Sequence, residues 1–511
     1  MNKNFFENLA LAVSAAVLCG CMVGPDFEKP QPKLGETWNQ EISGKLLTDG
    51  EESKKVSPEE IARWWEIFED EQLTSLIKRA FENNLDLAAA TATIAQARAN
   101  LGIVQSGFFP TLDLSAGMTE RGITMHDTAT SYGMGATAGW EIDLFGGTRR
   151  SIESAVANYR ATLADKCATR ILVAAEVANN YFSYRALQQE IIITKSNLET
   201  QKKTYRITLE RKAKGFVSQL DVVRAAAEVD STSSQIPTLQ KDLIQTRHAL
   251  ELLLGLQSGA LEKELEEPKD LPELERFIPV GVPANLLERR PDIISAEYNL
   301  HKAVAAVGNA EADFYPKFFI NGSISYEAPK IGNIVKSQYG TWSVGPSATW
   351  NIFQAGKTVF NVELQEGVVA QMGANWKSAV LTAIKEVEDS LVAAAKERER
   401  IAYINKLVEN NKKAFDLSST LYSEGEIEFL DLLVSQRSML QSEQSQISSR
   451  QLFISHIISL YKSLGGGWTM DDLKDDPQKT DWLFFKDSFG MGDPENADEL
   501  KVAGKASNKA N

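Results

Sequence analysis

Apolar positions recur along most of this chain at helical spacing, interrupted twice by short stretches that alternate every second residue. The longest helical pattern runs from Thr148 to Ala213 with neither proline nor glycine. Its stripe begins Ile152, Val156, Tyr159, Leu163 and ends Leu187, Ile191, with Arg170 the one polar interruption. That is about 3.5 residues per step, the coiled-coil period. At 1.5 Å per residue such a helix is about 100 Å long, a length no compact globular domain needs. A second pattern, Gln219 to Leu254, returns after the turn Lys214-Gly215-Phe216-Val217-Ser218, and a shorter one, Asn84 to Gly107, precedes the rod. These two would measure about 54 and 36 Å, so stacked end to end they nearly match the long helix. The pattern predicts a rod flanked by two shorter helices, with strands at one end and a turn at the other.

The alternating stretches lie between the short helix and the rod. In Thr111 to Met118, Leu112, Leu114, Ala116 and Met118 share one face. In Tyr132 to Ile142, Tyr132, Met134, Ala136, Ala138, Trp140 and Ile142 share one face, opposite glycines, Thr137 and Glu141. One apolar face over about 9–11 residues suits the wall of a membrane barrel. A soluble half-buried sheet would alternate in the same way.

The whole arrangement then occurs again. Asp86 and Asp292 are 206 positions apart, as are Gly102 and Gly308, and Pro110 and Pro316. From Trp140 and Trp350 onward the spacing is 210, through Gly215 and Gly425, Asp221 and Asp431, and Gly255 and Gly465. The four extra residues of the second unit fall between Pro316 and Trp350. An internal duplication of this kind decides the architecture. The second strand pair repeats the alternation over Phe318 to Tyr326 and Trp342 to Ile352, with Pro346 awkward in a central strand because it cannot donate to a ladder. The chain divides into a targeting segment (1–20), an anchored linker and equatorial segment (21–83), repeat 1 (84–255), a connection (256–289), repeat 2 (290–465), and an acidic tail (466–511) whose end reads as disordered.

Composition narrows the partners. A formal net charge of −15 over 511 residues leaves no general basic character for binding nucleic acid. Outside the leader the chain has no apolar run long enough for a membrane-spanning helix. If it crosses a membrane, it does so as a closed barrel, and four strands cannot close one. Three copies would supply twelve strands, and their long helices would close below as an α-helical tube. The predicted fold is therefore mainly α with β: coiled-coil-like helical hairpins forming an α-barrel, plus four strands per chain completing a trimeric β-barrel. Of the three cysteines only Cys167 lies beyond the leader region, on a helix face that suits a small buried hydrophobe.

The leader has Lys3 followed by an apolar core from Leu9 to Leu18. Leu18-Cys19-Gly20-Cys21 resembles a bacterial lipobox, with Cys21 the residue to be lipidated. Met22 follows it, not the aspartate of an inner-membrane retention signal, so the implied destination is the outer membrane. The alternative is a plain secretory signal.

With these parts in place the chain resembles the TolC-type outer-membrane efflux factors, in the NodT-like lipoprotein branch. The resemblance covers nearly all of residues 21–465. It rests on Cys21-Met22-Val23-Gly24-Pro25-Asp26, Trp64-Trp65, Glu141-Ile142-Asp143-Leu144-Phe145-Gly146, Leu286-Leu287-Glu288-Arg289-Arg290-Pro291-Asp292 and Trp350-Asn351-Ile352-Phe353. It implies a homotrimeric conduit, a periplasmic adaptor docked at the helical tips, and an inner-membrane transporter, usually proton-driven, behind it. The cargo would be drugs, metals or similar small molecules; an exit duct for type I protein secretion is the near alternative. A rival of another class is a non-conducting tether lipoprotein, which accounts for the anchor and rods but not for strands bearing Trp140, Trp342 and Trp350.

The resemblance places Asp431 at a constricted periplasmic entrance, with Asp221 its counterpart in repeat 1. Threefold copies of Asp431 near Glu424, Glu426 and Glu428 would make an acidic mouth that favours cations. The other reading of both aspartates is a charge at the start of the returning helix. Gly215 and Gly425 permit the reversals. Phe216 and Val217, with Ser218 in the same turn, are candidates for adaptor docking or for packing under the turn. Glu176 and Glu386 recur in register and suit buried inter-helix hydrogen bonds, while Arg289 and Arg290 suit ties at the waist. His126, His248, His301 and His456 have no metal-ligand spacing, and no nucleophile elbow or phosphate loop is present, so neither an enzyme nor a cofactor is expected.

Overall fold

The computed structural model describes residues 22–32, 58–122, 128–273 and 289–474. Cys21, the leader, His126 and residues 475–511 lie outside them. The equatorial segment holds α1 (Glu71–Asn83), and repeat 1 comprises α2 (Leu85–Gln105), β1 (Thr111–Gly122), β2 (Thr128–Ile142), α3 (Gly147–Ala213) and α4 (Gln219–Leu253). Repeat 2 comprises α5 (Pro291–Ala312), β3 (Lys317–Ala328), β4 (Gly340–Thr349), α6 (Lys357–Glu424) and α7 (Phe429–Ser463). The two rods, α3 and α6, have 67 and 68 residues, about 100 Å each. Both begin after a glycine with positive φ, Gly146 at +85° and Gly356 at +86°. The return helix α4 runs straight through Pro237, which removes one internal hydrogen bond without ending it.

The expected end-to-end stacking has a specific joint, built twice. Asn84 caps α2 by accepting from the N–H groups of Asp86 and Leu87 at 2.9 and 3.1 Å. Its amide then donates to Leu253 O at the end of α4, 2.9 Å away. In repeat 2 the corresponding residue, Arg290, donates to Ser463 O at the end of α7, at 3.1 Å. Gly255 and Gly465 follow these helix ends at φ +66° and +75°, and a Cβ on either would come within 2.6 or 2.5 Å of the carbonyl oxygen of Asn83 or Arg289. Only glycine fits where two helix ends abut this closely.

All four strands form one antiparallel sheet in the order β1-β2-β3-β4. The register places Leu114 opposite Ala136, Ala136 opposite Ile324, and Ile324 opposite Trp342, so the apolar faces read from the sequence merge into one. On the other face a polar ladder crosses from β3 to β4. Ser325 meets Thr341, Ser323 meets Ser343, and Asn321 donates to Ser347, each at 2.8 Å. Pro346 lies in β4, an edge strand of the protomer's own sheet, opposite Ile320 of β3. Among the described residues no helix is long and apolar enough to cross a membrane.

The main core sits at the waist. Trp64, fully buried, stacks on Tyr461 of α7 at 5.8 Å and joins Phe68, Leu73, Leu76 and Ile77 against the middles of α3 and α6. Arg185 is buried there too, donating to Gln72, Gln188 and the carbonyl of Glu267. Tyr181 donates to Asp70 Oδ2 at 2.5 Å, and burial with that carboxylate pushes its phenol well above the usual range. Arg290 pairs with Asp292 and Glu386, both at 2.7 Å. Glu386 therefore ties two helices, but as a half-exposed ion pair. Glu176 is exposed and its carboxylate has no hydrogen bond among the described residues, because Asn84 stands where repeat 2 has Arg290.

Candidate channel mouth and membrane-end strap

The two hairpin tips lie side by side, far from the sheet, and are bound by a small core of their own: Ala225, Tyr422, Phe429, Leu432 and Leu433. Arg211, near the end of α3, donates to Tyr422 O at the end of α6 and stacks 4.7 Å above the Tyr422 ring. Thr208 meets the Tyr422 hydroxyl at 3.2 Å. Higher up, Arg437 of α7 pairs with Glu228 of α4. None of these cross-hairpin contacts follows from helical periodicity.

The turns differ in a way that separates the two aspartates. Gly215 and Gly425 both reverse the chain at positive φ, +80° and +89°. After Gly215, Ser218 caps α4: its hydroxyl accepts from Asp221 N at 3.2 Å, and Asp221 Oδ2 accepts from Ser218 N at 3.1 Å and Ser218 Oγ at 2.7 Å. This is a complete capping box, so the Asp221 carboxylate is engaged at the helix start. In repeat 2 the cap position is Glu428, which makes no side-chain cap. Asp431 is exposed, and its carboxylate has no hydrogen bond among the described residues. Glu424, Glu426 and Glu428 are exposed beside it.

Charge also distinguishes the tips. Residues 206–221 carry four basic and two acidic side chains, whereas 416–431 carry five acidic and no basic ones. The acidic character belongs to the second tip alone, and the first is mildly basic. Phe216 is 70% exposed at the first tip, with Val217 half-buried behind it and Leu220 and Val223 exposed beyond.

At the opposite end, aromatic side chains mark two levels. Trp140 Nε1 donates to Phe108 O at 2.9 Å, and Trp350 Nε1 to Phe314 O at 3.0 Å, the same contact in both repeats where strands meet helices. Tyr132, Tyr326 and Trp342 stand at the far end of the sheet, about 26 Å along the strand from the first level. An apolar band between two aromatic levels is the signature of a bilayer-spanning wall.

Residues 22–30, read as a linker from their prolines, are strapped onto the strand–helix junction. Val23 N donates to Phe145 O at 3.1 Å. Arg150, 1% exposed, donates to Val23 O, Gly24 O and Asp26, and also to Glu153. Phe27 stacks on His301 at 4.3 Å, and Lys29 pairs with Glu297. Gly24 passes so close to Gly308 that a Cβ would lie 2.3 Å from its Cα. The strap brings Met22 against Gly146, in the turn between β2 and α3.

The family model described as "Outer membrane efflux protein" matches residues 76–256 and 282–466. Nodulation protein T of Rhizobium leguminosarum bv. trifolii is 30% identical over 88% of this chain and 96% of its own length. The probable efflux pump outer membrane protein TtgC of Pseudomonas putida is 30% identical over 90% of this chain and 95% of its own. Among solved structures, the outer-membrane channel OprN superposes with a TM-score of 0.79 at 31% identity, covering 88% of this chain and all of that one. Matched along both repeats and in fold, this chain belongs to the outer membrane efflux protein family.

Proposed function

We propose that three copies of the chain form the outer-membrane duct of a tripartite efflux system, carrying small molecules from the periplasm to the exterior. The observation that carries this reading is the sheet: four strands with one continuous apolar face, one polar face and two open edges, set on hairpins about 100 Å tall. Open edges facing lipid would leave backbone groups unsatisfied, and closing twelve strands removes them. The small and hydroxyl-bearing face then lines the lumen, and the tryptophan face meets lipid. A periplasmic adaptor docks at the tips, where Phe216 is exposed, and an inner-membrane transporter supplies the driving force.

Cys21 is the lipid anchor in this reading. Its neighbour Met22 packs against Gly146, between β2 and α3. The mouth is an alternation of mildly basic and acidic tips, with Asp431 the selectivity carboxylate. Asp431→Asn is expected to lower cation selectivity and weaken block by multivalent cations while leaving assembly intact. Single-channel reversal potentials in a salt gradient test this; unchanged selectivity with a lower melting temperature would return Asp431 to a helix-start role.

A further inference from the structure

The chain does not leave the waist where α7 ends. After Gly465 it folds back over α3, and three polar contacts fix it there. Trp468 Nε1 donates to Arg289 O at 3.0 Å, Arg170 Nε donates to Gly467 O at 3.1 Å, and Arg170 pairs with Asp472 at 3.3 Å. Trp468 and Leu473 pack with Ile294 on Cys167 and Ile171, a small apolar cluster apart from the main core. The described chain thus runs to Lys474 beside α3, and residues 475–511 continue from that point.

Ile171 also belongs to a second apolar surface. With Ala168 and Leu172 of α3 and Pro291 of α5 it walls a cleft of about 310 Å³ over the joint where α7 abuts α5. The cleft is open to water, and Leu172 is 42% exposed in it. Three of its charged groups, Arg290, Asp292 and Glu386, are paired with one another. Lys462 of α7 is exposed at the same cleft and has no ion pair among the described residues.

The sequence beyond Lys474 holds one stretch that suits this surface. Asp475 to Thr480 is polar apart from Pro477. Asp481 then precedes Trp482-Leu483-Phe484-Phe485, and after Trp468 the chain has no aromatic residues except these and Phe489. Six residues span at most about 20 Å when extended. A helix with its side chains is about 10–12 Å across, so a tether starting beside Leu473 reaches either flank of Ile171.

We propose that the Trp482–Phe485 segment of the same chain docks in this cleft, covering Ile171, Leu172 and Pro291, with Asp481 facing Lys462. Three features of the molecule select this occupant. The tether is long enough, the cleft continues the surface on which Trp468 already lies, and the carboxylate before the aromatic run matches the cleft's one unpaired cation among the described residues. Aromatic side chains gain most from leaving water, and here they would do so against aliphatic walls. The docked segment bridges α3 of repeat 1 and the α5–α7 joint of repeat 2, so the tail clasps the two repeats at the waist.

Photo-cross-linking of the full-length chain in native membranes tests the docking. With Trp482→benzoylphenylalanine, irradiation is expected to join residue 482 to the 168–172 stretch of α3 or to Pro291, in a band of monomer mass on a denaturing gel. Links found only in another copy, in lipid or elsewhere on the chain overturn the proposal. A cysteine in the cleft gives a second readout. In a Cys167→Ala, Leu172→Cys background, maleimide should label residue 172 slowly, as read by peptide mass. Adding Trp482→Ala and Phe485→Ala should raise that rate by about tenfold, because labelling follows the undocked fraction. Equal rates with and without the two aromatic side chains overturn the docking.

Discussion

Asp221 and Asp431 occupy the same place in the two repeats, yet one residue three positions earlier gives them different work. Ser218 offers a hydroxyl and completes a capping box; Glu428 cannot, which leaves Asp431 exposed. Ser218→Ala is expected to cost about 1 kcal/mol of stability, while Glu428→Ala costs little, as thermal melting of each variant would report. Read from the sequence, both aspartates have the same two roles and Ser218 is a turn residue, so the distinction comes from the cap geometry. The Arg211–Tyr422 contact was not legible either, because periodicity assigns residues to faces but does not say which hairpin meets which. Cys167 was legible as a buried hydrophobe: it packs on Ile171 and Trp468, and burial pushes its thiol up to about 12. A raised thiol pKa means almost no thiolate at pH 8, so Cys167 should resist iodoacetamide until the protein is unfolded. Rapid labelling of the folded protein would contradict its burial. At Cys21, Cys21→Ala should abolish palmitate labelling, and labelling that persists would contradict the anchor.

At the scale of elements, helix ends fall close to where glycines, prolines and caps put them. The strands run further than their alternation, β1 to Gly122 and β2 back to Thr128, because the outer ends are polar on both faces and leave no pattern to read. The four extra residues of repeat 2 belong to the connection between β3 and β4, which holds two short 3-10 turns. The abutting helix ends are the most demanding local geometry. Gly255→Ala and Gly465→Ala meet both positive-φ strain and a backbone oxygen closer than any Cβ tolerates. Gly215→Ala meets the strain alone, with nothing within 4 Å. The two joint variants should lose at least the 1–3 kcal/mol that left-handed strain costs, and the tip variant no more than that. Melting temperatures that fall equally for all three would contradict the joint as described.

At the scale of the molecule, the architecture was readable because the duplication, the amphipathic strands and the rod lengths all pointed to one assembly. The strap was not. Its prolines correctly forbid helix, but docking onto α3 and α5 depends on Arg150, whose role no local pattern announces. The functional conclusion that follows is a conducting duct rather than a passive bridge between envelope layers, a distinction that turns on whether the sheet closes around an aqueous lumen. Detergent-purified protein added to a planar bilayer tests that directly. The account predicts discrete conductance steps from a particle of trimeric mass. Stable insertion of that particle with no steps at any applied voltage would contradict it.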